Sequence, residues 1–296
     1  MKTGSFTKHY YLMLLPGLLW IAVFSIYPMT GIAIAFQDFK PGRGMFGSEW
    51  IGLDTFAYMF SLNDTKQIFM NTLSIALMKM VAHLLVPLVF ALMLHELRQQ
   101  WLKRSIQTIV YLPHFLSWVI LSGIVLDFFS LGGPINQLRT ALGFESVLFF
   151  TKADLFPFLV VGSDIWKEFG FSAVIYLAAL TSVHPALYEA AAIDGAGRFR
   201  RLWHITLPGI RTTVVLLAVL SLGNVLNAGF DQVFNLYNAL VYSTGDIIDT
   251  WVYRTGLLSL QYGLATAVGL LKSVIGFLLI AFSYFLAYRL IRYRIF

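Results

Sequence analysis

Apolar runs long enough to cross a bilayer recur six times along this 296-residue chain, separated by polar stretches. A spanning helix needs about 20 mostly apolar residues. The qualifying segments are Tyr10–Phe36, Asn71–Leu94, Ile106–Phe129, Leu155–Leu180, Thr212–Ala228 and Ala265–Ile291. Closed β-barrels are the other structure that spans lipid, but their alternating segments of about 10 residues are absent. The pattern predicts an all-α polytopic membrane protein with six transmembrane helices. It reads as one domain over 1–296, with no linker and no visible internal repeat.

The stretch from Gln37 to Phe69 is the longest between spans, with Pro41, Gly42, Gly44, Gly47 and Gly52 as turn signals and Asn63 and Asp64 marking a later turn. Aromatics at Tyr10, Tyr11, Trp50, Phe149, Phe150, Trp251 and Tyr293 suit anchoring at the membrane–water interface. The first apolar run is too long for a signal-peptide core, and no small-residue cleavage site ends it, so it is expected to remain as the first span.

Composition agrees. The chain is 58% hydrophobic and 12% charged, with mean hydropathy +0.74, which an ordinary soluble domain of this length cannot hide. With no cysteine, disulfides, thiol catalysis and thiolate metal sites are excluded. The net charge of +6 matters through its placement. Lys2, Lys8, Arg98, Lys103, Arg104, Arg198, Arg200, Arg201, Arg211, Arg289, Arg292 and Arg294 fall at one set of span ends. At the other set Lys40, Arg43, Lys66, Arg139, Lys152 and Arg254 are diluted by ten carboxylates, from Asp38 to Asp249. The positive-inside rule then expects both termini and the loop around Glu189 in the cytoplasm. Basic residues that hug span ends rather than forming one patch argue against nucleic-acid binding.

One polar island stands out, EAAAIDGAGRFRRLWHITLP from Glu189 to Pro208. Pro185 suits the first turn of a helix, which would run to about Asp194, where Gly195 can take the left-handed conformation that ends it. A second short helix, from about Arg198 to His204, would lead to a break at Pro208. Ala190, Ala191 and Ala192 leave so little bulk that a partner's groove can approach the backbone, and Glu189 offers one charge across such a contact. The plainer reading is a solvated loop whose arginines meet lipid headgroups.

The spacing of Glu189, Ala190, Ala191, Asp194, Gly195, Ala196, Phe199, Ile205, Leu207 and Pro208 resembles the EAA signature of binding-protein-dependent ABC importer permeases of type I. YLMLLPGLLW near the start, QTIVYLPHFLSW at Gln107–Trp118, DIWKEFGFSAVIYLAAL at Asp164–Leu180 and GNVLNAGFDQVFNLYN at Gly223–Asn238 are similar to the polysaccharide and multiple-sugar branch, including alginate-oligosaccharide permeases. The resemblance implies a permease core over about 68–292 and a coupling loop over 182–208 in the bacterial inner membrane. It implies four kinds of partner: a second permease subunit, two cytoplasmic ATPase subunits, an extracytoplasmic solute-binding protein and an oligosaccharide. In the ATPase-coupling role it places Glu189, Ala190, Ala191, Asp194, Gly195, Ala196, Phe199 and Pro208. No G-x-x-x-x-G-K-[ST] phosphate loop occurs, so the chain is expected to bind no cofactor and catalyse nothing. ATP and Mg would sit in the partner ATPases.

Charges inside the spans each need a reason, since one near the bilayer centre costs about 2.5–3.5 kcal/mol on insertion scales. Asp164, Lys167 and Glu168 share one helical face, Lys79 and Lys272 lie in other spans, and Ser221, Asn224, Asn227 and Asp231 are expected on roughly one face. Lys79, Asp164, Lys167, Glu168, Asn224, Asn227, Asp231 and Lys272 are candidates for a translocation path. The lysines would offset carboxylates of an acidic, uronate-type oligosaccharide, and Trp166, Phe230 and Tyr237 would stack on sugar rings. Against this, Asp164 and Lys167 can simply pair, and Asn224 and Asn227 can be interhelical glue. The lysines can snorkel or pair with acids, and His114 can be a packing residue at a Pro113 kink. Gly223, Gly229, Gly269 and Gly276 read as sites of close helix packing. A neutral sugar is an alternative cargo. A membrane enzyme using Asp164, Glu168 and His114 lacks a paired catalytic motif or metal-ligand cluster. A secondary transporter calls for internal repeats with broken helices, which the sequence does not display.

Overall fold

A computed structural model describes residues 3–291, with side chains from 8 to 289. Lys2, Arg292, Tyr293 and Arg294 lie outside the described residues. Helix α1 (Thr3–Ile21) continues through a π turn (Ala22–Ile26) and a 3-10 segment (Tyr27–Phe36). A two-residue ribbon, β1 (Gln37–Asp38) with antiparallel β2 (Glu49–Trp50), precedes α2 (Asp54–Ser61). Next come α3 (Asn63–Glu96), α4 (Gln100–Tyr111), α5 (Trp118–Phe128), α6 (Pro134–Ala141) and α7 (Phe156–Thr181). They are followed by α8 (Pro185–Ile193), α9 (Arg198–Arg201), α10 (Leu207–Gly223), α11 (Phe230–Leu236), α12 (Ile248–Tyr253) and α13 (Tyr262–Ile291). Among the described residues, four helical stretches are long and apolar enough to cross a membrane: Lys8–Phe36, Asn63–Glu96, Arg198–Gly223 and Tyr262–Arg289. Two bent pairs, α4 with α5 at 109° and α7 with α8 at 68°, raise the number to as many as six if each pair is one span.

The described residues cluster in two compact units, one within Met1–Thr65 and Trp251–Leu271, the other within Lys66–Thr250 and Lys272–Phe296. In the first, the α1 run is exposed along almost its whole length. An apolar helix with no buried stripe is one whose solvent is lipid. Phe36 stacks on Trp50 across the ribbon at 5.6 Å. The start of α13 lies close to it, since a Cβ at Gly263 would stand 3.4 Å from the carbonyls of Ile34 and Gln37. In the second unit, Leu121, Val125, Phe156, Val160, Ala228, Val233 and Leu236 join Ile75 in one buried cluster. Ala91, Ala173, Tyr176, Leu180, Val183 and Ile210 form another. The two clusters lie at opposite ends of α7, so that helix is the spine of the unit.

Three expectations about the spans need correcting, each for a backbone reason. Ile106–Phe129 is not one helix with a kink. Pro113 lacks an N–H and disfavours helix before it, the chain narrows to 3-10 over Leu112–Phe115, and Leu116 and Ser117 are extended. Ser117 Oγ then accepts the Ile120 N–H and starts α5. The fifth span, expected over Thr212–Ala228, leaves helical geometry at Gly223, with Asn224 as its C-cap. Pro208, conversely, breaks nothing. Arg198–Gly223 is one continuous span because the π turn Leu202–Thr206 precedes Pro208 and absorbs its missing bond. The π turn Ala22–Ile26 stands in the same relation to Pro28.

Candidate functional site

Two polar features stand apart from the apolar spans, and α7 carries both. The first is α8, joined to α7 by Ser182–His184. His184 Nδ1 accepts the Ala186 N–H at 3.2 Å, and Pro185 fills the first helical position without wasting a donor. At the other end the Ala196 N–H reaches the Ala191 carbonyl at 2.8 Å and the Gly195 N–H reaches that of Ala192 at 3.1 Å. This is the Schellman pattern, and Gly195 at φ +74 supplies its left-handed residue. The helix boundaries expected from Pro185 and Gly195 are therefore the observed ones. Glu189, Ala190, Ala192 and Asp194 are exposed, as are the apolar side chains of Ile193 and Phe199, while Ala191 and Ala196 are half-buried. Tyr188 Oη meets Thr206 Oγ1 at 3.0 Å and packs with Ile205 against the Tyr176–Leu180–Ile210 cluster. The helix thus presents an exposed alanine face on a rigid root. The expected second short helix is present as α9, but it runs on into α10, so exposed Pro208 lies within a span rather than at a stop.

The second feature is a buried charge cluster along α7. Lys79 Nζ from α3 donates to the Ala228 carbonyl at 2.7 Å and to Gln232 Oε1 at 2.5 Å, with Asp164 Oδ1 at 3.5 Å. His83, one turn along α3, donates from Nε2 to the other Asp164 oxygen at 2.8 Å. Gln232 Nε2 donates in turn to the Val160 carbonyl at 2.6 Å and to Ser163 Oγ at 2.9 Å. One turn down α7, Lys167 Nζ donates to Glu168 Oε1 at 2.6 Å and to the His114 carbonyl at 3.0 Å. His114 Nδ1 holds the second Glu168 oxygen at 2.7 Å, and its ring lies flat on Phe171, 4.0 Å between centroids. Lys79 and Lys167 are only 6% and 7% exposed, so their charges survive burial only because each is paired and hydrogen-bonded.

The sequence placed the charged members on one face of α7 but not their partners. Asp164 and Lys167 do not pair with each other. Lys272 pairs with Asp249 at 2.5 Å, so each of the three span lysines meets a carboxylate of this chain. Asn224 and Asn227 are exposed and lie within the break after α10, while Asp231 is exposed on α11; the expected common face with Ser221 does not exist, because no helix connects them. Trp166 is half-exposed and, with Phe128, Phe129, Phe158 and Ser163, lines a cavity of about 380 Å³ between α5 and α7. Phe230 stacks on Phe234 at 5.2 Å, and Tyr237 lies against Tyr242 at 5.1 Å. Sequence reasoning missed His83 and Gln232. The i, i+4 spacing of Lys79 and His83 on one helix was a readable signal. Gln232 was not legible, since it reaches Lys79 only because Gly229, at φ +91, turns the chain there. A Cβ at Gly229 would stand 2.9 Å from Lys79 Nζ, so this glycine serves a charge rather than helix packing. Gly223 does pack closely, since a Cβ there would stand 3.3 Å from Ile280, whereas a Cβ at Gly269 or Gly276 would meet nothing within 4 Å.

Up to six apolar crossings, a capped alanine-faced helix at one end and paired charges within describe a polytopic membrane protein. The chain belongs to the family of binding-protein-dependent transport system inner membrane components, whose model matches residues 83–294. It is thus the permease component of an ABC importer. Protein LplB of Bacillus subtilis (strain 168) is 46% identical over 92% of this chain and 86% of that protein. The polygalacturonan/rhamnogalacturonan transport system permease protein YteP of the same strain is 42% identical over 92% and 85%. Two solved structures share the fold at TM-score 0.87. One is of a bacterial ABC transporter involved in the import of the acidic polysaccharide alginate, at 37% identity with 95% of each chain covered. The other is of a bacterial alginate ABC transporter in complex with an alginate pentasaccharide-bound periplasmic protein, at 36% identity with 95% and 94% covered.

Proposed function

We propose that this permease imports acidic oligosaccharides of the uronate type. Support comes from its kinship, over nine-tenths of its length, to a polygalacturonan permease and to alginate transporters, because galacturonan and alginate are both uronate polymers. The working assembly pairs this chain with a second permease subunit. Two ATPase subunits bind ATP and Mg, and a solute-binding protein docks on the outer face. Both termini and α8 face the cytoplasm, in line with the basic residues at that set of span ends. Glu189, Ala190, Ala191, Asp194, Gly195, Ala196 and Phe199 form the surface seated in the ATPase, and Pro208 sits at the base of the adjoining span.

The lysines bear on substrate choice differently from the sequence-based expectation. Lys79 and Lys167 are committed to Asp164, Glu168 and two backbone carbonyls, and both heads are buried away from a solute carboxylate. Lys272 and Asp249 keep roughly a quarter of their side-chain surface open, and Asn224 and Asn227 stand exposed within the break. These are the path residues the geometry favours. The test uses the assembled importer in vesicles, with tetragalacturonate and maltotetraose as probes. Faster ATP-driven uptake of the acidic probe is expected. Equal or faster uptake of the neutral one overturns the acidic assignment.

A further inference from the structure

Broken backbone at membrane depth exposes carbonyls that lipid cannot satisfy. Two such breaks interrupt spans among the described residues, at Leu112–Ser117 and Asn224–Gly229, and both are treated in the same way. At Leu112–Ser117 the His114 carbonyl takes a hydrogen bond from Lys167, and at Asn224–Gly229 the Ala228 carbonyl takes one from Lys79. Each lysine is balanced by a carboxylate on α7, and the two carboxylates, Asp164 and Glu168, sit one turn apart. Each carboxylate is held from its far side by a histidine, His83 or His114. An ammonium has three donors, and Lys79 has three acceptors around it. Lys167 has two, with the Trp118 ring 5.8 Å away at the start of α5. A lysine built to greet a solute would keep its head open, and neither does.

We propose that Lys79 and Lys167 are positioning residues that fasten both helix breaks to α7, so that the breaks move with the helix that ends in α8. This presumes that α8 is the coupling element and adds the route by which its motion enters the spans. Close packing supports a single rigid spine. Gly170 admits Val110 of α4 so tightly that a Cβ would stand 2.5 Å from it, and Tyr176 Oη donates to the Leu84 carbonyl of α3 at 3.2 Å.

This chain has no cysteine, so with partner subunits also freed of cysteine an introduced thiol is the single site of labelling. In the assembled importer in vesicles, Asn227→Cys reports the break, and exposed Ala192→Cys reports α8. Maleimide labelling is compared with and without vanadate trapping of the ATP-bound state. With Lys79 intact, trapping is expected to change the rate at position 227 about tenfold, within the range that coupling-network substitutions modulate. In Lys79→Met/Asp164→Asn, which removes the ion pair without stranding a charge, the protein still inserts. The change at 227 should then fall below about twofold while position 192 stays protected by the ATPase. An undiminished response at 227 in the double variant overturns the proposal, and so does a break that never responds with Lys79 intact. Free labelling at position 192 in every background contradicts the coupling reading itself, and the route falls with it.

Discussion

Helix α8, the proposed coupling element, and the charge cluster on α7 lie on consecutive helices, yet they use polarity in opposite ways. In α8 the polar groups face outward, the caps are local, and Glu189 has open surroundings. Along α7 the charges of Asp164, Lys167 and Glu168 are held within the protein, by Lys79 and His83 of α3, by one another and by His114 of the break before α5. A surface helix offers its chemistry to another protein, whereas a buried cluster uses its chemistry to hold this one together. The difference teaches where substitutions should harm folding and where they should harm only coupling.

The largest effect on stability is expected at the buried end. Lys79→Met strands Asp164 with His83 alone, and losing one partner of a buried pair costs about 3–5 kcal/mol. The amount of protein in the membrane should fall sharply, as measured by detergent-extracted yield, and Asp164→Asn in the same chain should restore most of it. Unchanged yield for the single variant breaks the contrast between the regions.

Glycines come next. Gly195→Ala and Gly229→Ala both force a side chain into the left-handed region, at about 1–2 kcal/mol each. Gly229→Ala should cost more, because its Cβ would also crowd Lys79 Nζ. Thermal unfolding in detergent should lower Tm for both, and more for position 229. Equal shifts would mean that the lysine yields freely.

The smallest effect belongs to the exposed ion pair Arg198–Glu96, 4.0 Å apart with both side chains mostly in solvent. Arg198→Ala should change stability by less than about 1 kcal/mol. A larger loss would make α9 part of the buried framework rather than of the outward-facing surface.

The two regions were also unequally legible in the sequence. The limits of α8 followed from Pro185 and Gly195, because helix caps are local chemistry, and the crossings followed from apolar run length. The cluster was half legible. The i, i+3, i+4 spacing of Asp164, Lys167 and Glu168 put them on one face, but their partners come from α3 and from the break at Leu112–Ser117, and Lys79 is anchored in turn by the break at Asn224–Gly229. Pro113 announced the first break without its 109° size. The second is marked only by asparagines and a glycine inside an apolar run. At Pro208 the proline rule failed, because a π turn absorbs the missing hydrogen bond. Propensity carries no warning of that accommodation.

The central claim is that α8 receives ATP-driven motion and passes it to the spans. It is tested most directly by ATP-driven uptake of tetragalacturonate in vesicles carrying the importer with Glu189→Lys in this chain. With protein levels in the membrane unchanged, uptake is predicted to fall to background. Uptake at the rate of the unaltered chain would contradict it.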